Sequence, residues 1–296
     1  MCETFDPLPA AATALQVAAG GFLDSAGLER VRAYRLRRLL ETCTTRSPLY
    51  REWLHGMEPN TACLSEVPVV RRSVLMDNFD RWVTDPAIRL EDLRVFVKDP
   101  ERIAMAYLDR YVVWQSSGTS GEPGVFVQDA QAMAVNDALE ALRGPFARWI
   151  RSFPDSENLQ RNLVLIGAID EHYASTVSTE RLRKLNPWLS WRLHDLSFLQ
   201  PMPLLRRALE ALDPMVLASF PSVALQLAEE RCHSRLSIAP REIWVGGETL
   251  TPATRGFVEN VFGCRIRNSY GSSEFLSLAS ECEHGGLHLK APGRQR

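Results

Sequence analysis

From Tyr111 onward the apolar positions fall into two alternating patterns. Short apolar runs lie within residues 111–114, 162–166, 215–220 and 242–245, and stretches of helical spacing lie at 129–150, 203–212 and 223–232. Short unbroken runs bounded by polar or turn residues predict strands buried on both faces. Strands alternating with helices predict an α/β fold, a mostly parallel sheet flanked by helices. Pro221 sits where a first helical turn tolerates proline. The helix after 242–245 has clear punctuation, with Thr251 as N-cap, Pro252 in the first turn and Gly263 at the end. Cys264-Arg-Ile-Arg267 reads as the last strand.

The N-terminal part reads differently. Residues 24–54 carry Leu28, Val31, Leu36, Leu39 and Leu40 at roughly helical spacing, with a break expected after about Arg46 because Pro48 follows. Residues 56–110 hold only short apolar pieces and read as an irregular helical lead-in. The expected division is therefore a lead-in over 1–110 and an α/β nucleotide-binding core over 111–296, together one structural domain. The stretch that organises the rest is Ser116-Ser-Gly-Thr-Ser-Gly121, which follows the strand at 111–115. Val125-Phe-Val-Gln128 resumes strand spacing, so the loop is expected to close a hairpin. Gly118 and Gly121 permit backbone conformations that turn N–H groups toward an anion, and Ser116, Ser117, Thr119 and Ser120 add hydroxyl donors. Such a loop suits nucleotide phosphates. It is not a Walker A loop, because no Gly-Lys-Ser/Thr follows. An ordinary Ser/Gly turn is the plain alternative.

Composition narrows the partners. The 296 residues are 45% hydrophobic and 24% charged, as in an ordinary globular protein. A net charge of −2 gives no electrostatic case for nucleic acid or an anionic membrane. The arginines between Arg30 and Arg38 read as the solvated face of a helix. Residues 8–23 are apolar but too short and too interrupted by Gly and Pro to span a bilayer, and the acidic start is unlike a signal peptide. Six cysteines without a CxxC pair point to a reducing, cytoplasmic location.

Two further strand ends, Val245-Gly-Gly-Glu248 and Ser269-Tyr-Gly-Ser-Ser-Glu274, complete a set with the hydroxyl/glycine loop. Ligands of open α/β sheets sit beyond the carboxyl ends of strands. Together the three motifs resemble the adenylate-forming superfamily of acyl-CoA ligases, in particular its phenylacetate-CoA ligase and coenzyme F390 synthetase-like branch. Ser47-Pro-Leu-Tyr-Arg51, Ser219-Phe-Pro-Ser-Val-Ala-Leu225 and Glu281-Cys-Glu-His-Gly-Gly-Leu-His288 support that branch, and the resemblance runs from about residue 29 to 289.

The resemblance implies ATP-dependent activation of a carboxylic acid, best an aromatic one, as an acyl-adenylate, followed by transfer to CoA or another thiol. Ser116, Ser117, Gly118, Thr119, Ser120 and Gly121 would grip the ATP phosphates, with Thr119 catalytic. Gly246, Gly247 and Glu248 would line the adenine side, and Ser269, Tyr270, Gly271, Ser272 and Ser273 would complete the nucleotide site. Glu274 would hold Mg²⁺, for which a carboxylate oxygen is a suitable ligand. Plain alternatives are a core aromatic for Tyr270 and a helix N-terminal acid for Glu274. Phe220, Pro221 and Ser222 would line the acyl pocket, with Trp114, His172 and Tyr173 as further candidates. Cys282 and His288, with His284 between them, match residues that bind structural zinc in some relatives. Structural zinc takes four ligands, so solvated loop histidines are the alternative.

Two departures stand out. Where many relatives carry Lys after Thr-Gly in the phosphate loop, this chain has Glu122, a charge that triphosphate would repel. Relatives also continue into a small C-terminal domain with a catalytic Lys, after an Asp that binds ribose. Neither residue has a counterpart here, so the expectation is a core lacking that lid, or one completed by a separate chain. A nucleotide-binding module without ligase activity, and adenylyl transfer to a hydroxyl acceptor, are the competing readings. Homodimers are common among the relatives, and the small-molecule acid and ATP are the expected ligands.

Overall fold

The computed structural model of the chain describes residues 5–59, 63–116, 123–144, 162–169, 171–282 and 284–289. The N-terminal helices are α1 (Pro7–Gly20), α2 (Ser25–Arg46), α3 (Pro48–Trp53), α4 (Arg72–Asp77), α5 (Phe79–Trp82) and α6 (Leu90–Phe96), joined by short 3₁₀ turns at Leu64–Glu66 and Pro100–Arg102. The break expected near Arg46 falls between α2 and α3. There Ser47 caps the new helix, its hydroxyl accepting from the Tyr50 N–H at 3.3 Å with Pro48 in the first turn. Helix α1 was not anticipated. Pro7 and Pro9 fall in its first turn, where prolines cost little, and Asp6 accepts from the Leu8 N–H at 3.0 Å.

Strands β1 (Tyr111–Gln115) and β2 (Val125–Asp129) pair antiparallel, which is the hairpin expected from the loop between them. The next elements are α7 (Ala130–Arg143), β3 (Leu163–Gly167), α8 (Ala174–Leu185), α9 (Pro187–Ser190), β4 (Leu193–Ser197), α10 (Met202–Leu212) and β5 (Val216–Ser219). They are followed by α11 (Pro221–Cys232), β6 (Glu242–Val245), α12 (Pro252–Phe262), β7 (Arg265–Tyr270), β8 (Ala279–Glu281) and β9 (Leu287–Leu289). The large sheet runs in the order β4-β3-β5-β6-β7-β8-β9. The first five strands are parallel, and β8 and β9 return antiparallel. The strand at Cys264–Arg267 is therefore not the last. It runs on to Tyr270, and two three-residue strands follow that are too short to read as periodicity. Strand β4 was also missed, because Leu-His-Asp-Leu-Ser at a sheet edge buries only Leu193 and lacks an apolar run.

The main core lies between the sheet and its helices. Val164, Ile166, Leu217, Ile243 and Ile266 from the strands meet Leu205, Leu209, Leu227 and Val258 from α10, α11 and α12. Each such side chain contributes about 1.5–3 kcal/mol relative to exposure. A second cluster joins Phe79, Ile88, Leu93, Phe96 and Tyr107 to Val113 and Val125, so the lead-in packs directly on the hairpin. The third, with Val112, Trp114, Phe126, Met133 and Val177, packs the hairpin against α7 and α8.

Candidate functional site

The parallel strands all point their carboxyl ends to one edge of the sheet, and the loops after β3, β5, β6 and β7 emerge there. Neighbouring ends are stitched by hydroxyls. Ser219 donates to the Ile166 carbonyl at 3.2 Å, and Ser269 donates to the Val245 carbonyl at 3.2 Å. At this edge β6 ends in Gly246-Gly-Glu248. A side chain on Gly246 would begin 2.9 Å from the Ser269 hydroxyl and 3.1 Å from its carbonyl oxygen, so β6 and β7 approach closely there and a small residue suits the position. Gly247 has φ +79, and a Cβ there would lie 2.8 Å from the Phe220 ring.

This tight turn aims Glu248 at the start of α11. Its carboxylate accepts from the Ser222 N–H at 3.0 Å and from the Ser222 hydroxyl at 2.9 Å. Glu248 thus satisfies a free N–H at the helix N-terminus, where the dipole favours an anion. The expected adenine-side and acyl-pocket residues are joined, and the Ser222 hydroxyl is turned toward Glu248.

The segment after β7 is folded on itself. The Ser272 N–H donates to the Phe275 carbonyl at 3.0 Å, and the Phe275 N–H donates back at 3.2 Å. A Cβ on Gly271 would lie 1.9 Å from the Leu276 carbonyl oxygen, so no other residue fits. Tyr270 is 57% exposed, which sets aside the core-aromatic alternative and leaves its ring free to stack. Glu274 is exposed in a loop with no helix following, so it is not a helix N-terminal acid.

The hairpin reaches the same edge. The indole Nε1 of Trp114 donates to the Ser273 carbonyl at 2.8 Å, and the Gln115 N–H donates to the His172 carbonyl at 2.7 Å. Ser116 closes the mouth of the loop, its hydroxyl accepting from the Gly124 N–H at 2.9 Å. Ser117, Gly118, Thr119, Ser120, Gly121 and Glu122 lie outside the described residues. One residue that the sequence reading missed stands at this mouth. Arg72, in the first turn of α4, donates from Nη1 to the Ser116 hydroxyl at 3.4 Å. Nothing in the local sequence singles it out, since Arg71-Arg72 begins an irregular stretch far from the loop.

The other aromatic candidates separate. Trp114 is fully buried, a core residue that braces the site and lines no open pocket. His172 is also buried, edge-on to Phe96 with ring centroids 5.7 Å apart, and neither ring nitrogen has a hydrogen-bond partner among the described residues. Burial lowers its pKa, and the nearby Arg102 and Val97 carbonyls and the Asp99 charge oppose the shift only in part. Tyr173 is half-buried at the head of α8, its phenol pKa raised by burial and by neighbouring Glu171.

Cys282 and His288 flank the β8–β9 turn, with Sγ and Nε2 at 3.8 and 3.4 Å from where a Cβ on Gly286 would sit. Among the described residues no three His, Cys, Asp or Glu side chains gather to hold a metal. The cysteines described are all free thiols, and no described helix is long and apolar enough to cross a membrane.

No family model and no curated protein sequence matches the chain. Solved structures do. The open conformation of 2-hydroxyisobutyryl-CoA ligase, in complex with 2-HIB-AMP and CoA, superposes with a TM-score of 0.62 at 16% identity, covering 94% of this chain and 65% of that one. The thioesterification state of that ligase gives 0.61 at 18% identity, covering 94% and 59%. Its postadenylation state with R3-HIB-AMP gives 0.62 at 17%, covering 94% and 58%. The chain therefore shares the fold of the matched part of this ligase. The chain spans about six-tenths of the length of these ligases.

Proposed function

We propose that the chain is the nucleotide-binding core of an AMP-forming carboxylate ligase of the phenylacetate-CoA ligase-like branch, acting in the cytoplasm. The observation that carries this reading is the Trp114–Ser273 hydrogen bond of 2.8 Å, which seats the hairpin bearing the hydroxyl/glycine loop against the Tyr-Gly-Ser-Ser-Glu turn. The ends of β1, β6 and β7, which lead into the three motifs, lie together at one sheet edge, the edge where α/β folds bind ligands.

In the reaction, an oxygen of the substrate carboxylate attacks the α-phosphorus of ATP, and pyrophosphate leaves. A thiol sulfur, that of CoA in the simplest case, then attacks the acyl carbon and AMP departs. The first step needs positioning and charge neutralisation rather than a protein nucleophile. Residues 116–121, with Thr119 central, hold the phosphates. Arg72 supplies at the loop mouth the positive charge that Glu122 lacks. The exposed ring of Tyr270 stacks on the base, with Gly246 and Gly247 letting the backbone approach. Glu274 is the carboxylate to hold Mg²⁺, which when bound neutralises phosphate charge. The Phe220 ring, packed on Gly247 and edge-on to Phe198 at 5.8 Å, gives the acyl side an aromatic wall suited to an aromatic acid.

The test is pyrophosphate release from Mg-ATP, with hydroxylamine trapping acyl-adenylate, across aromatic, short 2-hydroxy and aliphatic acids. Acid-dependent release, strongest with an aromatic acid and reduced at least about tenfold in Glu274→Ala, is expected. Tight Mg-ATP binding with no release for any acid would instead favour a binding module. Release only with 2-hydroxy or aliphatic acids would keep the ligase and overturn the aromatic substrate.

A further inference from the structure

Helix α11 begins without a cap of its own. Phe220 stands at the N-cap position, where Ser, Thr, Asp and Asn are preferred, and its side chain makes no capping hydrogen bond. Pro221 follows and has no N–H, so Ser222 carries the first backbone donor of the helix. The missing cap arrives from 26 residues further along the chain, where Glu248 takes both the N–H and the hydroxyl of Ser222. A phenylalanine in the cap position gives up a local hydrogen bond but delivers an aromatic ring to the carboxyl-end edge of the sheet. That ring is held from two sides. Gly247 lies against it, close enough that a Cβ there would be 2.8 Å away, and Phe198, just past β4, meets it edge-on at 5.8 Å.

Two links therefore tie the Gly-Gly-Glu turn to the start of α11, the Glu248 carboxylate and the Gly247–Phe220 contact. We propose that Glu248 is a positioning residue that caps α11 from across the site, so that a nucleotide at Gly246–Gly247 and an acid against Phe220 each tighten the binding of the other. The inference rests on the ligase reading above and gives the Glu248 side chain a different task from lining the adenine side, which falls to the Gly246–Gly247 backbone. Glu248 and Ser222 are both exposed, so water competes for their hydrogen bonds in the empty protein. A base lying on the Gly-Gly turn steadies it, the steadied turn keeps Glu248 on Ser222, and the capped helix start keeps the Phe220 ring in the acyl wall. The first ligand to bind thus orders the link for the second. By linkage the effect is equal in both directions.

Calorimetric titration of the 296-residue chain with Mg²⁺ and α,β-methylene-ATP, which cannot release pyrophosphate, tests this with and without the most active acid of the release panel (phenylacetate on the aromatic reading). The nucleotide dissociation constant should fall roughly fivefold or more when the acid is saturating, and that of the acid by the same factor when the nucleotide is. Glu248→Ala should bring the factor to about one. Glu248→Gln should keep it, because its amide carbonyl accepts from the Ser222 N–H and its amide N–H donates to the Ser222 oxygen. Hydrogen exchange of the ligand-free chain checks the cap itself: the first turn of α11 should exchange faster in Glu248→Ala and unchanged in Glu248→Gln. A wild type that binds both ligands without coupling overturns the inference and leaves the ligase reading standing. So does a coupling that survives Glu248→Ala or is lost in Glu248→Gln. A wild type that neither binds nucleotide nor releases pyrophosphate overturns the ligase reading, and the inference with it.

Discussion

In the sheet, Leu217 on β5 is fully buried between β3, β6 and the helices above them, and most of the strand residues beside it are equally enclosed. In α2, by contrast, Gly27 and Leu40 are the buried residues of a 22-residue helix, and Tyr34 and Leu39 face solvent among arginines. Both regions are regular secondary structure, yet they are held differently. The sheet is fixed by apolar contacts between residues far apart in sequence. Helix α2 is held by its ends and by local bonds, such as the Asp24 carboxylate accepting from the Gly27 N–H at 2.7 Å. The candidate site sits where the first kind of order ends, so its precision is inherited from the sheet.

The sharpest way to break that contrast is to cut equal side chains from both regions. Leu217→Ala should cost about 2–5 kcal/mol by leaving a cavity, whereas Leu39→Ala should stay within about 0.5 kcal/mol. Urea titrations followed by far-ultraviolet circular dichroism measure both. Similar costs would mean that α2 packs on something in solution.

Next in size is Gly271→Ala. Its new methyl group meets the Leu276 carbonyl oxygen, so the turn must open, at about 1–3 kcal/mol or more. Calorimetric titration should show Mg-ATP binding lost more completely than stability. A variant that binds normally would detach this turn from the nucleotide site.

Trp114→Phe keeps an aromatic ring but leaves the Ser273 carbonyl without the indole donor, at about 1–2 kcal/mol. If the hairpin is braced by this bond, proteolysis should nick the loop after Ser116 faster in the variant. Unchanged cleavage would show that the other contacts of the hairpin suffice.

The smallest expected effect is on pH dependence. Burial depresses the folded pKa of His172 below its ordinary 6.5, so the unfolded chain binds the extra proton between the two values. Stability from this group is therefore full above about pH 6.5 and falls as the pH drops through that window. His172→Phe should flatten the acid limb of a melting-temperature profile, and an unchanged limb would assign the loss to other groups.

Much of this was legible along the chain, because strands buried on both faces announce themselves as unbroken apolar runs. Glu242–Val245 and the helix capped by Thr251 and Gly263 stand where the pattern put them, with Gly263 at φ +67. The hairpin and the break before Pro48 were equally readable, since glycine, proline and serine fix local conformation by their own chemistry. Strands β4, β8 and β9 were not, being short or at the edge, where pairing partners rather than periodicity make a strand. Three relations were decided only by tertiary structure: Glu248 turned onto Ser222, Trp114 spent on bracing Ser273, and Arg72 brought to Ser116 from 44 residues away. Local sequence sets which backbone shapes are cheap. Which side chains meet depends on how the whole sheet twists and stacks, and no single stretch of the chain carries that information.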